Sequence, residues 1–310
     1  MNPALSVIFF TTASGAGYGL FVALIIALFS GVIQPTEWLG WVSLVVSFVL
    51  ISSGLLSASL HLGRPERAWR ALSQWRSSWL SREGVLAILA YIPMAVFAFQ
   101  WLILGQFDAV TQISGILAAL LGAATVYTTS MIYRSLTPIA AWANKYTTPG
   151  YLVFGLGSGV VLLNFIAAVD GQSNDALLIG GILSLFAMVK LKIYYWHHLD
   201  EEAPASTIGT ATGLGHLGDV APLEAPHTED NYLLKEMGYR VARRHSARLR
   251  NIFMVVGLIA FAGLVLPMFI TGVATLFSSA AVLLTLVAIA IERWLFFAEA
   301  KHTVTLYYCG

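Results

Sequence analysis

A histidine and a glutamate stand at the two ends of a polar segment in an otherwise apolar chain. The segment "HLGRPERAWRALSQWRSSWLSRE" begins at His61 and ends at Glu83. A neutral imidazole hydrogen-bonds a quinone carbonyl and exchanges protons near neutral pH. A partly desolvated carboxyl group nearby can relay such a proton to or from water. If both groups lie at the same depth, the segment predicts a site for proton-coupled quinone chemistry.

The same residues have simpler interpretations. A glutamate in the first turn of a helix complements the helix dipole, and a histidine at a helix end can hydrogen-bond a backbone carbonyl. The five arginines of the segment can serve only to fix the orientation of the chain in a membrane. From the residues alone, both the functional and the structural interpretations stay open.

The elements that position these residues are membrane helices. The chain has 310 residues, of which 58% are hydrophobic and only 11% charged, against about 25% charged in soluble domains. Its apolar runs are continuous and reach the roughly 20 residues that span a bilayer, which excludes a barrel of alternating strands. We predict an all-α integral membrane protein, a single membrane domain over 1–310. Its eight helices are expected at about 5–30, 38–59, 84–104, 112–133, 151–169, 175–195, 251–271 and 276–297.

The placement of charge predicts the orientation. With eight spans, all 17 lysine and arginine residues fall at one end of the bundle, and the other end has none. Positive residues in short loops stay on the cytoplasmic side. We therefore expect a multi-pass protein of the bacterial inner membrane with both termini in the cytoplasm and membrane lipid around it. No nucleic-acid partner is expected.

This helix arrangement predicts where the polar segment lies. His61 ends the second helix, because Gly63 and Pro65 stop it. Ser81 is the expected N-cap of the third helix, which places Glu83 in its first turn. Both groups are then expected near the cytoplasmic interface.

The connector at 196–250 is the one sizeable piece outside the membrane. Its second half predicts a basic surface helix over 233–250, which would either lie on anionic lipid headgroups or dock a partner subunit. The residues expected to dock a partner are all basic: Arg64, Arg70, Arg76, Arg82, Arg243, Arg244 and Arg248.

Two glycine motifs suggest an internal repeat. "GAGYG" at 15–19 and "GLGSG" at 155–159 lie in the first and fifth helices, 140 residues apart, which suggests two parallel four-helix halves. No strand precedes either motif, so close helix packing explains them better than nucleotide binding. No metal site is expected, because the lone Cys309 cannot build a zinc or iron–sulfur centre.

"HLGRPERAWRAL" followed by "SSWLSREG" resembles the membrane-anchor subunits of the dimethyl sulfoxide reductase type. The resemblance implies an eight-helix anchor that exchanges electrons between quinone, either ubiquinone or menaquinone, and an iron–sulfur subunit joined to a molybdopterin catalytic subunit. It also implies that His61 and Glu83 are the quinone-site residues and that Gly63 and Arg67 belong to the loop of that site.

The predicted orientation departs from the founding members of this family, whose catalytic subunits face the periplasm. A cytoplasmic site is similar to the sulfite-oxidising branch, in which two electrons pass from sulfite to quinone. We therefore expect the anchor subunit of a quinone-linked oxidoreductase whose partners oxidise sulfite to sulfate.

Two other functions are considered. A b-type haem would need two histidines at equal depth, and His61 with His197 or His198 would supply them. A secondary transporter also suits repeated halves, but transporters carry polar residues at mid-membrane, where Asn164 is the main candidate here. Quinone binding is preferred to both.

Overall fold

The computed structural model describes residues 4–59, 64–201, 206–224, 245–270 and 272–307. Within these ranges the protein forms helices and no strand, and eight of the helices are long and apolar enough to cross a membrane. The prediction of an all-α integral membrane protein is confirmed. The eight helices are α1 (Leu5–Phe29), α2 (Glu37–Ser59), α3 (Trp79–Ala98), α4 (Ala109–Arg134), α5 (Thr147–Val169), α6 (Asp175–Glu201), α7 (Ser246–Val265) and α8 (Ala274–Ala298). A π-helical turn, Phe99–Ile103, extends α3.

Local chemistry defines the ends of several helices. Gly31 and Gly171 follow α1 and α5 with φ of 72° and 73°, a backbone conformation that glycine adopts without a steric penalty. At the start of α4, the Asp108 carboxylate accepts hydrogen bonds from the backbone N–H groups of Val110 (3.0 Å) and Thr111 (3.1 Å). These bonds, above all that from Thr111, hold the pKa of Asp108 below its usual value and cap α4.

Helix α1 lies at the centre of the bundle, in contact with α2, α4, α5 and α8. Its closest neighbour is α5: a Cβ added at Gly15 would lie 3.7 Å from the Cα of Gly155, and one added at Gly19 would overlap the Gly155 backbone. Added to Gly159, a Cβ would overlap the backbone of Gly19. The two glycine motifs therefore serve close helix packing, as predicted.

The middle glycine of each motif faces a different helix. An added Cβ on Gly17 would lie 2.8 Å from Ile51 of α2, and one on Gly157 would lie 2.6 Å from Met188 of α6. The α1–α2 and α5–α6 contacts thus use equivalent positions. The arrangement in two repeated four-helix halves stays a prediction.

Loop contacts define the two ends of the bundle. At one end, the α1–α2 and α5–α6 connectors meet, where the Thr36 hydroxyl donates to the Asp170 carboxylate at 2.6 Å. At the other end, Trp142 in the α4–α5 connector donates to the carbonyl of Phe296 near the end of α8, at 2.8 Å. We call this second end the basic end, because the lysine and arginine residues that the structure describes lie toward it, from Arg64 to Lys301.

The start of α3 differs from the prediction. Ser81 is not the N-cap; the helix begins at Trp79, and Ser78 precedes it with extended backbone angles (φ −106°, ψ 127°). Ser81 is instead buried inside the helix, and Glu83 lies in the second turn. Likewise, α6 runs to Glu201 and α7 begins at Ser246, because helical hydrogen bonding continues beyond the hydrocarbon core that hydropathy detects.

Candidate functional site

His61 and Gly63 lie outside the described residues, as do Arg243, Arg244 and most of the predicted 233–250 helix. The described part of the polar segment starts at Arg64. The candidate site in the described residues therefore comprises the rest of that segment, Glu83 and the side chains around Glu83.

The connector before α3 is a 3₁₀ helix, Pro65–Gln74. A 3₁₀ helix has three residues per turn, so residues three apart lie on one edge. This spacing aligns Arg64, Arg67 and Arg70, and Arg76 follows six residues after Arg70. All four side chains are exposed. We call these four residues the arginine edge.

A second edge of the same 3₁₀ helix is apolar. Trp69, Leu72 and Trp75 also follow at intervals of three; Trp69 and Trp75 are exposed, and Leu72 packs on α3 at Gly84, where an added Cβ would lie 2.8 Å from the leucine. The contact at Gly84 packs the 3₁₀ helix against the first turns of α3, the helix that carries Glu83.

Arg82 contacts residues on both sides of the junction between the 3₁₀ helix and α3. Its guanidinium donates to the backbone carbonyls of Trp75 (3.0 Å) and Arg76 (2.7 Å) and stacks 4.2 Å from the ring centre of Trp79. It thereby fastens the end of the 3₁₀ helix to the start of α3; partner docking by Arg82 stays a prediction.

Glu83 is 4% exposed and accepts a short hydrogen bond from the Thr129 hydroxyl of α4. Trp79, one turn before Glu83, packs edge-to-face with Tyr127 of α4 at 6.2 Å. The carboxyl group is thus buried between two helices, with aromatic rings beside it.

Thr129 also borders a small cavity between α1, α4, α5 and α8, which we call the inner cavity. Its polar lining consists of Thr11, Thr12, Ser14, Thr129, Tyr151, Ser158 and Arg293. The cavity connects the partner of Glu83 with a buried arginine on the far side of α5.

That arginine belongs to a charged cluster that was not predicted from the sequence. Lys192 of α6 lies 2.7 Å from Glu292 of α8, and Arg293 lies 3.5 Å from the same carboxylate. Lys192 and Arg293 were expected only as charges at the ends of their helices. The signal that the sequence offers is a Glu–Arg pair inside the apolar stretch of α8 and a lysine inside that of α6.

The cluster borders a second cavity, the outer cavity, which opens toward the α4–α5 connector at Tyr146 and Gly150. Lys192, Glu292 and Arg293 all line it, and Arg293 lines both cavities.

The remaining candidates lie elsewhere at the basic end. His197 is exposed and lies 3.3 Å from Glu201, whereas the ring of His198 lies 5.3 Å from that of Tyr146. These two histidines are neighbours on α6 and point in directions about 100° apart, so they cannot form a haem-ligand pair with each other. Arg248 is exposed near the start of α7.

Arg250, two residues further on, joins the ends of three helices. It pairs with Asp200 of α6 at 2.6 Å and with Glu299, just after α8, at 2.8 Å. Burial raises the pKa of Glu299, and the paired guanidinium opposes that shift.

No group of three or more His, Cys, Asp or Glu side chains within the described ranges is arranged to hold a metal ion.

These features define a class: a multi-pass membrane subunit with a buried carboxyl site and a basic surface at one end. The sequence matches the family of the DMSO reductase anchor subunit (DmsC) over residues 1–298. It is similar to a subunit of the sulfite dehydrogenase of Allochromatium vinosum, with 31% identity over 99% of both proteins.

More distant similarity links the sequence to one component each of two anaerobic dimethyl sulfoxide reductases. The protein of Haemophilus influenzae is 25% identical over 59% of the present sequence and 65% of its own length. The protein of Escherichia coli is 24% identical over 58% and 63%. The chain belongs to the DMSO reductase anchor subunit family and is a membrane anchor subunit of an oxidoreductase complex.

Proposed function

We propose that this anchor subunit binds quinone at the basic end and passes electrons to it from an iron–sulfur subunit, which receives them from a molybdopterin subunit that oxidises sulfite. The observation that carries the proposal is that Glu83 of α3 is buried against Thr129 of α4 and that the 3₁₀ helix of the arginine edge packs on α3. The sulfite assignment is supported by the similarity to a sulfite dehydrogenase subunit over nearly the whole sequence.

The chemistry of the buried groups fits a quinone. Bound quinone would accept two electrons and two protons. Glu83 supplies a carboxyl that can hold and release a proton, and the Thr129 hydroxyl orients it. Trp79 and Tyr127 provide aromatic surface on the same two helices. His61, before the connector, is the proposed ligand to a quinone carbonyl, with Gly63 and Arg67 in the loop of the site.

The arginine edge suits the docking of the iron–sulfur subunit. Its side chains project from a 3₁₀ helix that is packed on α3 through Leu72 and tied to it by Arg82. A partner seated there would lie against the start of α3, the helix that carries Glu83. Arg248, Arg243 and Arg244 are proposed to add to this docking surface from the connector between α6 and α7.

The orientation follows from the same charges. We assign the basic end, and with it both termini and the partner subunits, to the cytoplasm. Protons for quinone then come from the cytoplasm, so turnover at this site moves no net charge across the membrane.

The test is quinone-coupled turnover by the assembled complex. Glu83→Gln preserves size and hydrogen bonding but cannot titrate, so we expect quinone reduction to slow by about 10²–10⁴-fold with quinone affinity closer to normal. His61→Ala should abolish quinone coupling. An artificial acceptor that takes electrons from the soluble subunits should still be reduced in both variants.

Glu66→Gln is the matched control, because Glu66 lies in the same segment but is exposed. It should reduce quinone at the parental rate. Assembled Glu83→Gln and His61→Ala complexes that both retain parental rates would place the quinone site elsewhere.

A further inference from the structure

Three charged side chains lie deep inside the helix bundle. The side chains of Lys192, Glu292 and Arg293 are only 5%, 3% and 4% exposed. All three lie within the membrane-spanning helices α6 and α8. Burying an ionisable group at such a position costs free energy, and such groups commonly mark a path for ions or protons.

The cluster is only partly satisfied. One Glu292 oxygen meets Lys192 at 2.7 Å, but the other lies 3.5 Å from Arg293 Nε. Neither that second oxygen nor Arg293 Nε has a hydrogen-bond partner among the described residues. Two cations thus share one carboxylate, and the cations also rest on tyrosine rings, Lys192 on Tyr195 and Arg293 on Tyr151, both at 3.8 Å.

The two cations differ in their ability to release a proton. Lysine can release its proton when buried, whereas arginine stays charged. Glu292 lies between them. A turn of its carboxylate toward Arg293 would take the counter-charge from Lys192 and allow it to release a proton, and a turn back would allow Lys192 to take up another.

The cavities connect this cluster to both water and Glu83. The outer cavity joins Lys192 and Glu292 to Tyr146 and Gly150 near the basic surface. The inner cavity joins Arg293 to Thr129, the hydrogen-bond partner of Glu83. Each cavity has room for about one water molecule, which is enough to bridge neighbouring polar groups.

We infer that Lys192 and Glu292, with Arg293 between the two cavities, form a proton relay from water at the basic end to Glu83. This inference rests on the proposed quinone reduction. Each quinone takes two electrons from the iron–sulfur partner and two protons. The protons enter through water in the outer cavity, pass from Lys192 to Glu292, and continue through water that hydrogen-bonds the permanently charged Arg293. Water in the inner cavity and the Thr129 hydroxyl then deliver them to Glu83 and so to the quinone. The relay is replenished from water after each transfer.

The test replaces the titratable cation by an apolar side chain of similar size, Lys192→Met, because Glu292 then keeps Arg293 as its counter-charge and no buried charge is left unpaired. In the assembled complex we expect quinone reduction to fall about tenfold or more, while an artificial acceptor is still reduced at the parental rate. The ratio of rates in H₂O and D₂O should rise, because proton delivery becomes rate-limiting.

The matched control is Lys190→Met, the same substitution two residues earlier on α6. It removes an exposed lysine that lines neither cavity. This control should keep the parental rate and isotope ratio. An equal loss in both lysine variants would overturn the relay in favour of a general effect of lost charge.

A second variant covers the case in which the first does not assemble. Thr11→Val with Thr12→Val removes two hydroxyls from the inner cavity without changing charge, and it should also slow quinone reduction and raise the isotope ratio. Parental values in this variant, or in an assembled Lys192→Met variant, would overturn the relay alone. A parental complex that reduces no quinone would instead overturn the proposed function.

Discussion

The crossing of α1 and α5 allows a sharp test of the fold through Gly159→Ala. A methyl group at this position would overlap the backbone of Gly19 and Leu20, far inside the contact distance of about 3.5–4.0 Å between carbon atoms. Backbone atoms cannot rotate away as a side chain can, so the two helices must separate by on the order of 1 Å. Overpacking of this kind costs about 1–3 kcal/mol of unfolding free energy.

Gly180→Ala is the matched comparison. Its added Cβ would meet only Val160 of α5, at an ordinary 3.8 Å, and alanine is favoured over glycine inside a helix by about 0.5–1 kcal/mol. Because both substitutions gain this helix propensity, the two alanine variants should differ in stability by the overpacking cost alone, about 1–3 kcal/mol, with Gly159→Ala the less stable.

Thermal unfolding of the purified subunit in detergent, followed by tryptophan fluorescence, measures the difference. Each kcal/mol shifts the midpoint by about 2–4 °C in domains of 150–250 residues. We expect the Gly159→Ala midpoint to lie several degrees below that of the parent and the Gly180→Ala midpoint to lie at or above it. A Gly159→Ala protein as stable as Gly180→Ala would refute the close approach of α1 and α5.

Two further predictions concern the ends of the bundle. Reversing Arg64, Arg70 and Arg76 to Glu should weaken co-purification of the iron–sulfur subunit without loss of membrane insertion, whereas Lys at the same positions should retain more of it; undiminished binding by the reversed protein at high salt would contradict docking there. Asp108→Ala should lower the unfolding midpoint at pH 7. Because the native state depresses the pKa of Asp108, the parent should lose this advantage as pH falls below about 4. Asp108→Asn keeps a capping oxygen but cannot titrate, so it should lose less stability at pH 7 than Asp108→Ala and lack the parent's pH dependence.

The eight helices were predictable because a bilayer requires long apolar segments, which hydropathy detects. The ends of these helices were harder to predict. Ser81 looked like an N-cap because a serine before a charged turn often is one, but the extended backbone of Ser78 starts α3 three residues earlier. The glycine contacts were anticipated from their spacing, which places Gly15 and Gly19 on one helix face.

The site was predictable only where its residues are close together in the sequence. Glu83 was identified from its own segment, yet its partner Thr129 lies 46 residues away among several threonines of α4 with the same local pattern. Lys192 and Glu292 are 100 residues apart, and nothing in either helix alone shows that they face each other. A charge near a helix end looks the same in one sequence whether it meets water or another charge. His61 remains a prediction.

The central position of α1 bears on how the protein is made. The apolar window of α1 is 78% buried, against 28–56% for those of the other seven helices, and much of its cover comes from α5, which begins only at Thr147. A ribosome adds about 5–20 residues per second, so α1 waits in the bilayer for roughly 7–28 s before α5 exists. During that interval its glycine face meets lipid chains. Insertion and packing are thus separate stages for this helix, and the lasting fold of the first four helices depends on the synthesis of the fifth.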